Sequence, residues 1–230
     1  MKKLVTVIVI CGAIVTLAGL GTWQVQRLTW KQEIIENLER EYSKDPAKNI
    51  YSFEPLTALQ DSQTPILYGS ARGRFIKQET IFLEPKTYAG KVGAHVIQPF
   101  HLEDGGHILV NRGWISEEDK KSFEASNTQS FQLIQGIFRK PDWNRFTSNN
   151  NPERNIWTKA DINQIAKYYD IERIAPVMLY ATSIKNNQNL ILQDAKWYPR
   201  NKHLQYAIFW YGMIFILLGL VAIAAMPKRS

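Results

Sequence analysis

Two long apolar runs lie at the ends of the chain. No charged residue lies between Leu4 and Trp23, and none lies between Leu204 and Met226. At about 1.5 Å of rise per helical residue, either run can cross roughly 30 Å of hydrocarbon. The pattern predicts a membrane protein with two transmembrane helices, residues 4–23 and 204–226, and a domain of residues 24–203 between them.

Cations beside these runs predict the orientation. Lys2 and Lys3 precede the first run, and Lys228 and Arg229 follow the second. The positive-inside bias therefore places both termini in the cytoplasm and the domain outside it. A cleaved signal peptide is the alternative for the first run, but the run is longer than a usual signal core and no Ala-x-Ala site follows it. We therefore expect an uncleaved anchor.

The middle of the chain changes from a helical to an extended pattern. Residues 27–42 carry an apolar stripe that predicts a helix continuing the first span, and Asp45-Pro46 should end it. Asp161 should cap a second helix. The predicted strands are 67–75, 80–84, 94–100, 107–115, 131–139, 155–158, 177–181 and 190–197. A polar loop is predicted at 186–189, between the last two strands. These elements predict an α+β, mainly antiparallel β domain, a small, partly open barrel or a sandwich with helical additions.

Charge and motifs exclude several classes of function. The formal net charge is +7, but without the four cations at the chain tips only +3 remains, an ordinary mixed surface. A domain outside the cytoplasm also meets no nucleic acid. Glycine-rich phosphate loops, the nucleophile elbow and the HExxH zinc motif are absent from the sequence. The only cysteine, Cys11, lies in the first run, so no intrachain disulfide can form.

Three histidines recur at six-residue intervals, at positions 95, 101 and 107. A hairpin centred on Asp104-Gly105 would pair His101 near Ile108 and His95 near Trp114, so the three imidazoles need not converge. Soft copper ligands are scarce in this region. Histidines of strands or of the surface are therefore favoured over a metal site.

His203 differs from these because it begins the second apolar run. On a helix, His203, Ala207 and Trp210 share one face, with an imidazole about two turns from an indole. An ionisable ring at membrane depth points to a buried partner or ligand. Anchoring at the headgroup level is the alternative, and periodicity alone favours it.

The outer end of the first run brings further aromatic and cationic groups to the same depth. Trp23 and Arg27 lie there, and Arg200 and Lys202 precede the second run. A planar anionic ligand would find an axial nitrogen from His203, stacking from Trp23 or Trp210, and cations for its carboxylates. Haem fits this description, although the same residues are compatible with no ligand.

Five separated blocks in this two-span frame resemble the surfeit locus protein 1 family of cytochrome c oxidase assembly factors. They are GTWQVQR with Lys31, VIQPF at 96–100, ILVNRGW at 108–114, NNPERNIW at 150–157, and NKHLQYAIFWYG at 201–212. Departures from the family pattern are confined to loops, at Ser148 and at residues 186–189.

The resemblance implies an assembly factor for an aa3-type oxidase that binds haem a and assists its insertion. The family's haem ligand corresponds to His203, with Trp210 close by, and Trp23, Arg27 and Arg200 complete the expected site. Expected partners are cytochrome c oxidase subunit I, haem a synthase and the lipid bilayer. No catalytic activity is expected.

Two other functions stay open. A scaffold that holds assembly intermediates without binding haem would use exposed Arg and Trp side chains of ILVNRGW and NNPERNIW. Sheet-core positions are the alternative for those tryptophans. A haem-dependent redox enzyme is the weaker option. The absence of an Arg-rich, Ser-rich leader before Leu4 favours a bacterial plasma membrane over a mitochondrial inner membrane.

Overall fold

The computed structural model describes residues 1–61, 66–76, 80–123, 130–185, 189–192, 194, 196 and 198–226. Its contacts divide the chain into a helical unit, Met1–Asn37 with Tyr198–Ser230, and a sheet unit, Leu38–Trp197. The helices are α1 (Lys2–Tyr42), α2 (Phe53–Thr57), α3 (Glu117–Lys120), α4 (Ile162–Tyr168) and α5 (His203–Ala225), with 3-10 turns at Ala58–Asp61 and Pro152–Arg154. The strands are β1 (Ile66–Phe75), β2 (Ile81–Tyr88), β3 (Lys91–Leu102), β4 (His107–Ser116), β5 (Gln132–Arg139) and β6 (Ile174–Ser183).

The helical unit consists of α5 and the greater part of α1. Both helices are long and apolar enough to cross a bilayer, and only 6% of the most apolar stretch of each is buried. Large apolar side chains are instead exposed, as with Val15 at 72% and Phe215 at 74%. This is unlike a core helix of a soluble protein and is typical of helices that face lipid. The predicted membrane protein with two apolar terminal helices is confirmed, whereas the predicted limits of the two spans stay predictions.

One stripe of each helix is less exposed than the rest. On α1 it follows Leu17, Gly21, Gln24 and Leu28, at alternating spacings of four and three residues. Such spacing keeps one seam of a helix turned toward a neighbouring helix. The helix predicted from residue 27 onward is confirmed as a continuation of α1, which ends at Tyr42, before Asp45-Pro46.

The sheet unit closes five of its strands into a ring. The strand order is β1-β5-β6-β4-β3, and β1 also pairs with β3 through Gly73↔Leu102 to Phe75↔Phe100. β2 adds to β3 outside the ring. All pairings are antiparallel except the parallel pairing of β4 with β6. Of the two predicted architectures, the small barrel is therefore the one formed.

Alternate residues of the ring strands fill two separate cores. Ile108 and Val110 belong to the core that also contains Phe100 and Phe138. Leu109 belongs instead to the core that includes residues of α4. Because successive strand residues point to opposite faces, β4 is buried on both sides. The helix α4 begins as predicted, since Asp161 Oδ1 accepts a hydrogen bond from the Gln164 backbone N–H at 3.1 Å.

Two of the predicted strands are wrong. Residues 155–158 make only isolated bridges, Asn151↔Ile156 and Leu83↔Trp157. Asn155 has φ +51°, which an extended strand cannot contain. Within the described part of 190–197, Ile191 makes a single bridge to Trp114 and no strand forms. Residues 186–188 of the predicted polar loop lie outside the described residues.

Candidate functional site

His203 begins α5 and turns its imidazole onto α1. Its Nδ1 lies 2.8 Å from Oε1 of Gln24, and Gln24 is only 8% exposed. The backbone N–H of His203 also donates to Oδ1 of Asn201 at 3.4 Å, which holds the first turn of the helix. Both hydrogen-bonded side chains belong to the helical unit. The predicted histidine therefore has a polar partner in an otherwise apolar helix pair.

This hydrogen bond determines which ring nitrogen of His203 carries the proton. An amide oxygen accepts only, so Nδ1 must be the donor, and the lone pair of the neutral ring lies on Nε2. Nε2 makes no hydrogen bond with any residue in the described part of the chain. A neutral imidazole with one nitrogen hydrogen-bonded and the other carrying a lone pair is the usual form of a metal-binding histidine.

The predicted face of α5 is confirmed by its burial. Ala207 is 3% exposed, and His203 and Trp210 are partly buried. The Trp210 ring packs edge-on against Phe209, with ring centroids 5.1 Å apart. Among described contacts none joins the rings of His203 and Trp210, which are separated by roughly 10 Å of helix rise. Trp210 therefore lies on the same helix face as His203, but only a ligand that extends over roughly 10 Å could contact both side chains.

A close approach of the two helices lies one turn from Gln24. A Cβ added to Gly21 would lie 2.8 Å from the Tyr211 ring, so the absence of a side chain permits this contact. The hydroxyl groups of Thr22 and Tyr211 lie 3.1 Å apart and form a second interhelical hydrogen bond. Two hydrogen bonds, Thr22–Tyr211 and Gln24–His203, therefore join α1 and α5 near Gly21.

Trp23 and Arg27 lie on a different face of α1 from Gln24. The Arg27 guanidinium lies 5.8 Å from the centroid of Trp23 and 5.3 Å from that of Trp30. Trp23 is 48% exposed and Trp30 is 42% exposed. Spacings of four and three residues place Trp23, Arg27 and Trp30 in one exposed strip, about 120° around the helix from the buried stripe. The structure therefore brings Trp23 and Arg27 together, but not against the His203 imidazole.

Arg200 is exposed, three residues before His203. Within the residues that the structure describes, it makes no ion pair. Gln24 and Trp30 were missed by reasoning from sequence. The available signal for Gln24 was its position, three residues after Gly21 and four before Leu28, where an apolar residue is expected in a helix seam.

The three histidines of the sheet unit do not form one cluster. His95 lies opposite Trp114, as predicted, and its Nδ1 accepts from Nδ2 of Asn111 at 2.9 Å. The predicted pairing of His101 near Ile108 differs from the observed register by one residue, because His101 lies opposite His107. Nδ1 of His101 and Nε2 of His107 are 3.3 Å apart. No group of three metal-ligating side chains occurs among the described residues.

Burial lowers the pKa values of His95 and His107. Desolvation, reinforced by the positive charges of Lys86 and Arg139, lowers the pKa of His95 to about 4. Desolvation also lowers the pKa of His107, although its hydrogen bond to the Arg173 carbonyl opposes the shift. His95 is therefore a neutral structural side chain near neutral pH.

The ILVNRGW block forms sheet core. Arg112 is fully buried, Trp114 is 5% exposed, and Nη1 of Arg112 donates to Oε1 of Gln98 at 2.9 Å. These side chains cannot be the exposed anchors that the scaffold hypothesis expected. The sheet-core alternative is the one formed.

The NNPERNIW block forms a tight turn. Trp157 is fully buried, and its Nε1–H donates to Oδ1 of Asn155 at 2.7 Å. Asn150 Oδ1 accepts from the backbone N–H groups of Thr158 and Lys159, both at 2.8 Å. The exposed residues of this block are Asn151, Glu153, Arg154 and Ile156. Its described contacts stabilise the fold.

Comparison with known proteins places these features in one family. The model of the SURF1 family matches residues 11–215. Surfeit locus protein 1 of Homo sapiens is 30% identical over 221 residues, which cover 86% of this chain and 70% of that protein. SURF1-like protein of Caenorhabditis briggsae is 28% identical over 225 residues, 87% of this chain and 69% of that protein. Surfeit locus protein 1 of Takifugu rubripes is 27% identical over 220 residues, 86% of this chain and 88% of that protein.

The matched region includes Gln24 on α1 and His203 on α5, together with the whole sheet unit. The chain belongs to the SURF1 family.

Proposed function

We propose that this chain assists the assembly of cytochrome c oxidase by holding haem a at His203 and releasing it toward subunit I of the oxidase. Membership of the SURF1 family supports the assembly role. The observation that carries the haem proposal is the His203–Gln24 hydrogen bond, which directs Nδ1 to α1 and leaves Nε2 with its lone pair. Haem a is the cargo of this function, and no covalent bond of the cargo is made or broken.

The residues around His203 fit an iron porphyrin. A neutral imidazole nitrogen is a common axial ligand of haem iron. Ala207 follows His203 on the same helix face as a small, buried side chain, and Trp210 comes next on that face with an apolar ring. The exposed Arg200 is available to a carboxylate, whereas Arg27 already lies between two indole rings. We therefore assign the axial position to His203, the ring contact to Trp210, and the carboxylates to Arg200 before Arg27.

Trp23 has a different part in this proposal from the one predicted. Because its ring is half exposed and covered by Arg27, it borders the site from the neighbouring face of α1. Exposed indole and guanidinium groups at one depth are typical of the headgroup region of a bilayer. Trp23 and Trp30 then hold α1 at the depth at which His203 meets the cargo.

The proposal includes the orientation in the membrane. Both termini lie in the cytoplasm and the sheet unit lies outside it, in the periplasm of a bacterium or, for a mitochondrial protein, in the intermembrane space. The two apolar helices support a membrane location. Haem a synthase is the expected donor of the cargo, since it is the source of haem a.

The proposal is tested by purifying the full chain in detergent from cells that make haem a and recording its absorption spectrum. We expect a haem a spectrum, and we expect His203→Ala to lose it. His101→Ala is the matched control, since it also removes a partly exposed imidazole but lies in the sheet unit. A colourless wild-type chain, or a His203→Ala chain with the full spectrum, contradicts haem binding at this residue.

The assembly role is tested separately in cells that lack the protein. Wild type should restore oxidase activity and the haem a content of subunit I. His203→Ala should restore less of both at equal expression. Full restoration by a chain that never binds haem would support the scaffold function instead.

A further inference from the structure

We propose that Gln24 sets how firmly His203 holds its cargo. Its amide oxygen keeps the proton on Nδ1 and so presents Nε2 to the iron, while its neutrality keeps the imidazole a moderate ligand. The inference rests on the proposed function, since it assigns to Gln24 the control of the same site. It concerns which ring nitrogen of His203 carries the proton, and this can be measured without any haem.

The position of Gln24 leaves it few alternative partners. Its side chain is 8% exposed and lies in the buried stripe of α1, between Gly21 and Leu28. A buried amide without a hydrogen bond is costly in apolar surroundings. The 2.8 Å contact with Nδ1 of His203 satisfies the amide oxygen. The pairing is therefore fixed by burial as well as by distance.

The chemical group that accepts the Nδ1–H hydrogen bond determines how strongly the imidazole of His203 binds a metal. Histidines that bind metals usually donate their second N–H to a carboxylate, a backbone carbonyl or a water molecule. A carboxylate partner makes the imidazole more basic and its metal bond stronger, whereas an amide oxygen orients the ring with a smaller electronic effect. Gln24 therefore selects the binding tautomer without giving His203 the strength of a carboxylate-paired ligand.

This choice suits a protein that must give up its cargo. A ligand that binds the iron too tightly slows transfer to the next protein, because dissociation determines the residence time. A ligand in the wrong tautomer presents N–H instead of a lone pair and does not bind. An amide at position 24 satisfies both requirements, whereas glutamate would select the binding tautomer but hold the iron too tightly for transfer.

The test uses the full chain in detergent, labelled with ¹⁵N-histidine and free of haem. The ¹⁵N shifts of His203, assigned by loss of its signals in His203→Ala, should show the proton on Nδ1. In Gln24→Leu the signals should change to a mixture of tautomers, and affinity for haem a should fall by about 10-fold or more. In Gln24→Glu the affinity for ferric haem a should rise by about 10- to 100-fold.

Two further readouts separate electronic tuning from a structural effect. In Gln24→Glu the midpoint potential of bound haem a should fall, because a more basic ligand favours ferric iron. Transfer of haem a to excess apomyoglobin should also slow by about the same factor as the gain in affinity. Gln26→Glu is the matched control, since Gln26 is exposed at nearly the same depth on another face of α1 and should change neither readout.

The results distinguish this inference from the proposed function. If wild-type His203 carries its proton on Nε2, then the NH₂ group of the Gln24 amide, not its oxygen, faces Nδ1. The inference is then wrong, whether or not the chain binds haem. If Gln24→Leu and Gln24→Glu both match wild type in affinity and potential, the inference also fails, although a spectrum lost in His203→Ala would still support haem binding. If His203→Ala keeps its haem, the proposed function fails, while the tautomer of His203 remains measurable.

Discussion

Lowering the pH from 7 to 4.5 should destabilise the sheet unit, and His95→Asn should remove a large part of this effect. His95 is partly buried in β3 beside Lys86 and Arg139. Desolvation and these two cations lower its pKa from 6.5 to about 4. Between these values the unfolded chain binds a proton that the folded chain does not. Stability therefore falls as the pH drops through 6.5 and levels off below about 4.

The size of the effect follows from the two pKa values. One pKa unit corresponds to about 1.4 kcal/mol. If His95 is protonated in the unfolded chain but not in the folded chain, the free energy of unfolding therefore falls by at most about 3 kcal/mol. From pH 7 to 4.5 about 2 kcal/mol of this is lost. His107, whose pKa is also lowered, acts in the same direction. The variant should therefore keep a smaller acid sensitivity.

The assay is hydrogen exchange of the slowest amides of β3 and β4 in the full chain, converted to opening free energies at each pH. Asparagine suits the substitution because its Oδ1 can accept the hydrogen bond that Asn111 donates to Nδ1 of His95. Lys86→Met should also reduce the acid sensitivity, by removing a positive charge that lowers the pKa of His95. Equal loss of stability in wild type and His95→Asn would refute the reasoning.

Two substitutions test the packing of each unit against a matched control. Gly21→Ala places a Cβ 2.8 Å from the Tyr211 ring, so the ring or the helices must shift, and the ¹⁵N signals of His203 should change. Gly19→Ala, whose added Cβ has nothing within 4 Å, should leave these signals unchanged. Asn150→Ala removes the acceptor of two backbone N–H groups at 2.8 Å and should cost the sheet unit about 3 kcal/mol in opening free energy by hydrogen exchange. Asn149→Ala, an exposed neighbour, should cost less than about 0.5 kcal/mol. Equal effects within either pair would contradict these contacts.

The terminal helices and most strands could be predicted because their patterns are local. An uncharged run of about 20 residues has few structural interpretations. Short extended runs separated by turn residues were enough to predict strands β1 to β6. The barrel could not be chosen over the sandwich, since closure depends on the pairing of β1 with β3. No local pattern encodes that long-range contact.

The register of the β3–β4 hairpin shows how an error of one residue in a predicted turn changes which side chains are expected to lie together. Gly105 and Gly106 have φ of +90° and +77°, so the turn uses both glycines. Centring the turn on Asp104-Gly105 shifts the opposite residue by one, from His107 to Ile108. A shift of one residue reverses the face of every side chain. This is why the contact between His101 and His107 was missed.

The two interhelical hydrogen bonds have consequences beyond the choice of ligand. In an apolar helix pair, a few polar contacts fix the register, because sliding would leave buried polar groups without partners. Thr22–Tyr211 and Gln24–His203 are such contacts, and the second uses only Nδ1 of the imidazole. Under the proposed function the cargo takes Nε2, so gaining and losing it breaks neither contact. Binding and release can then proceed while α1 and α5 stay paired, so transfer does not include the cost of separating the two helices.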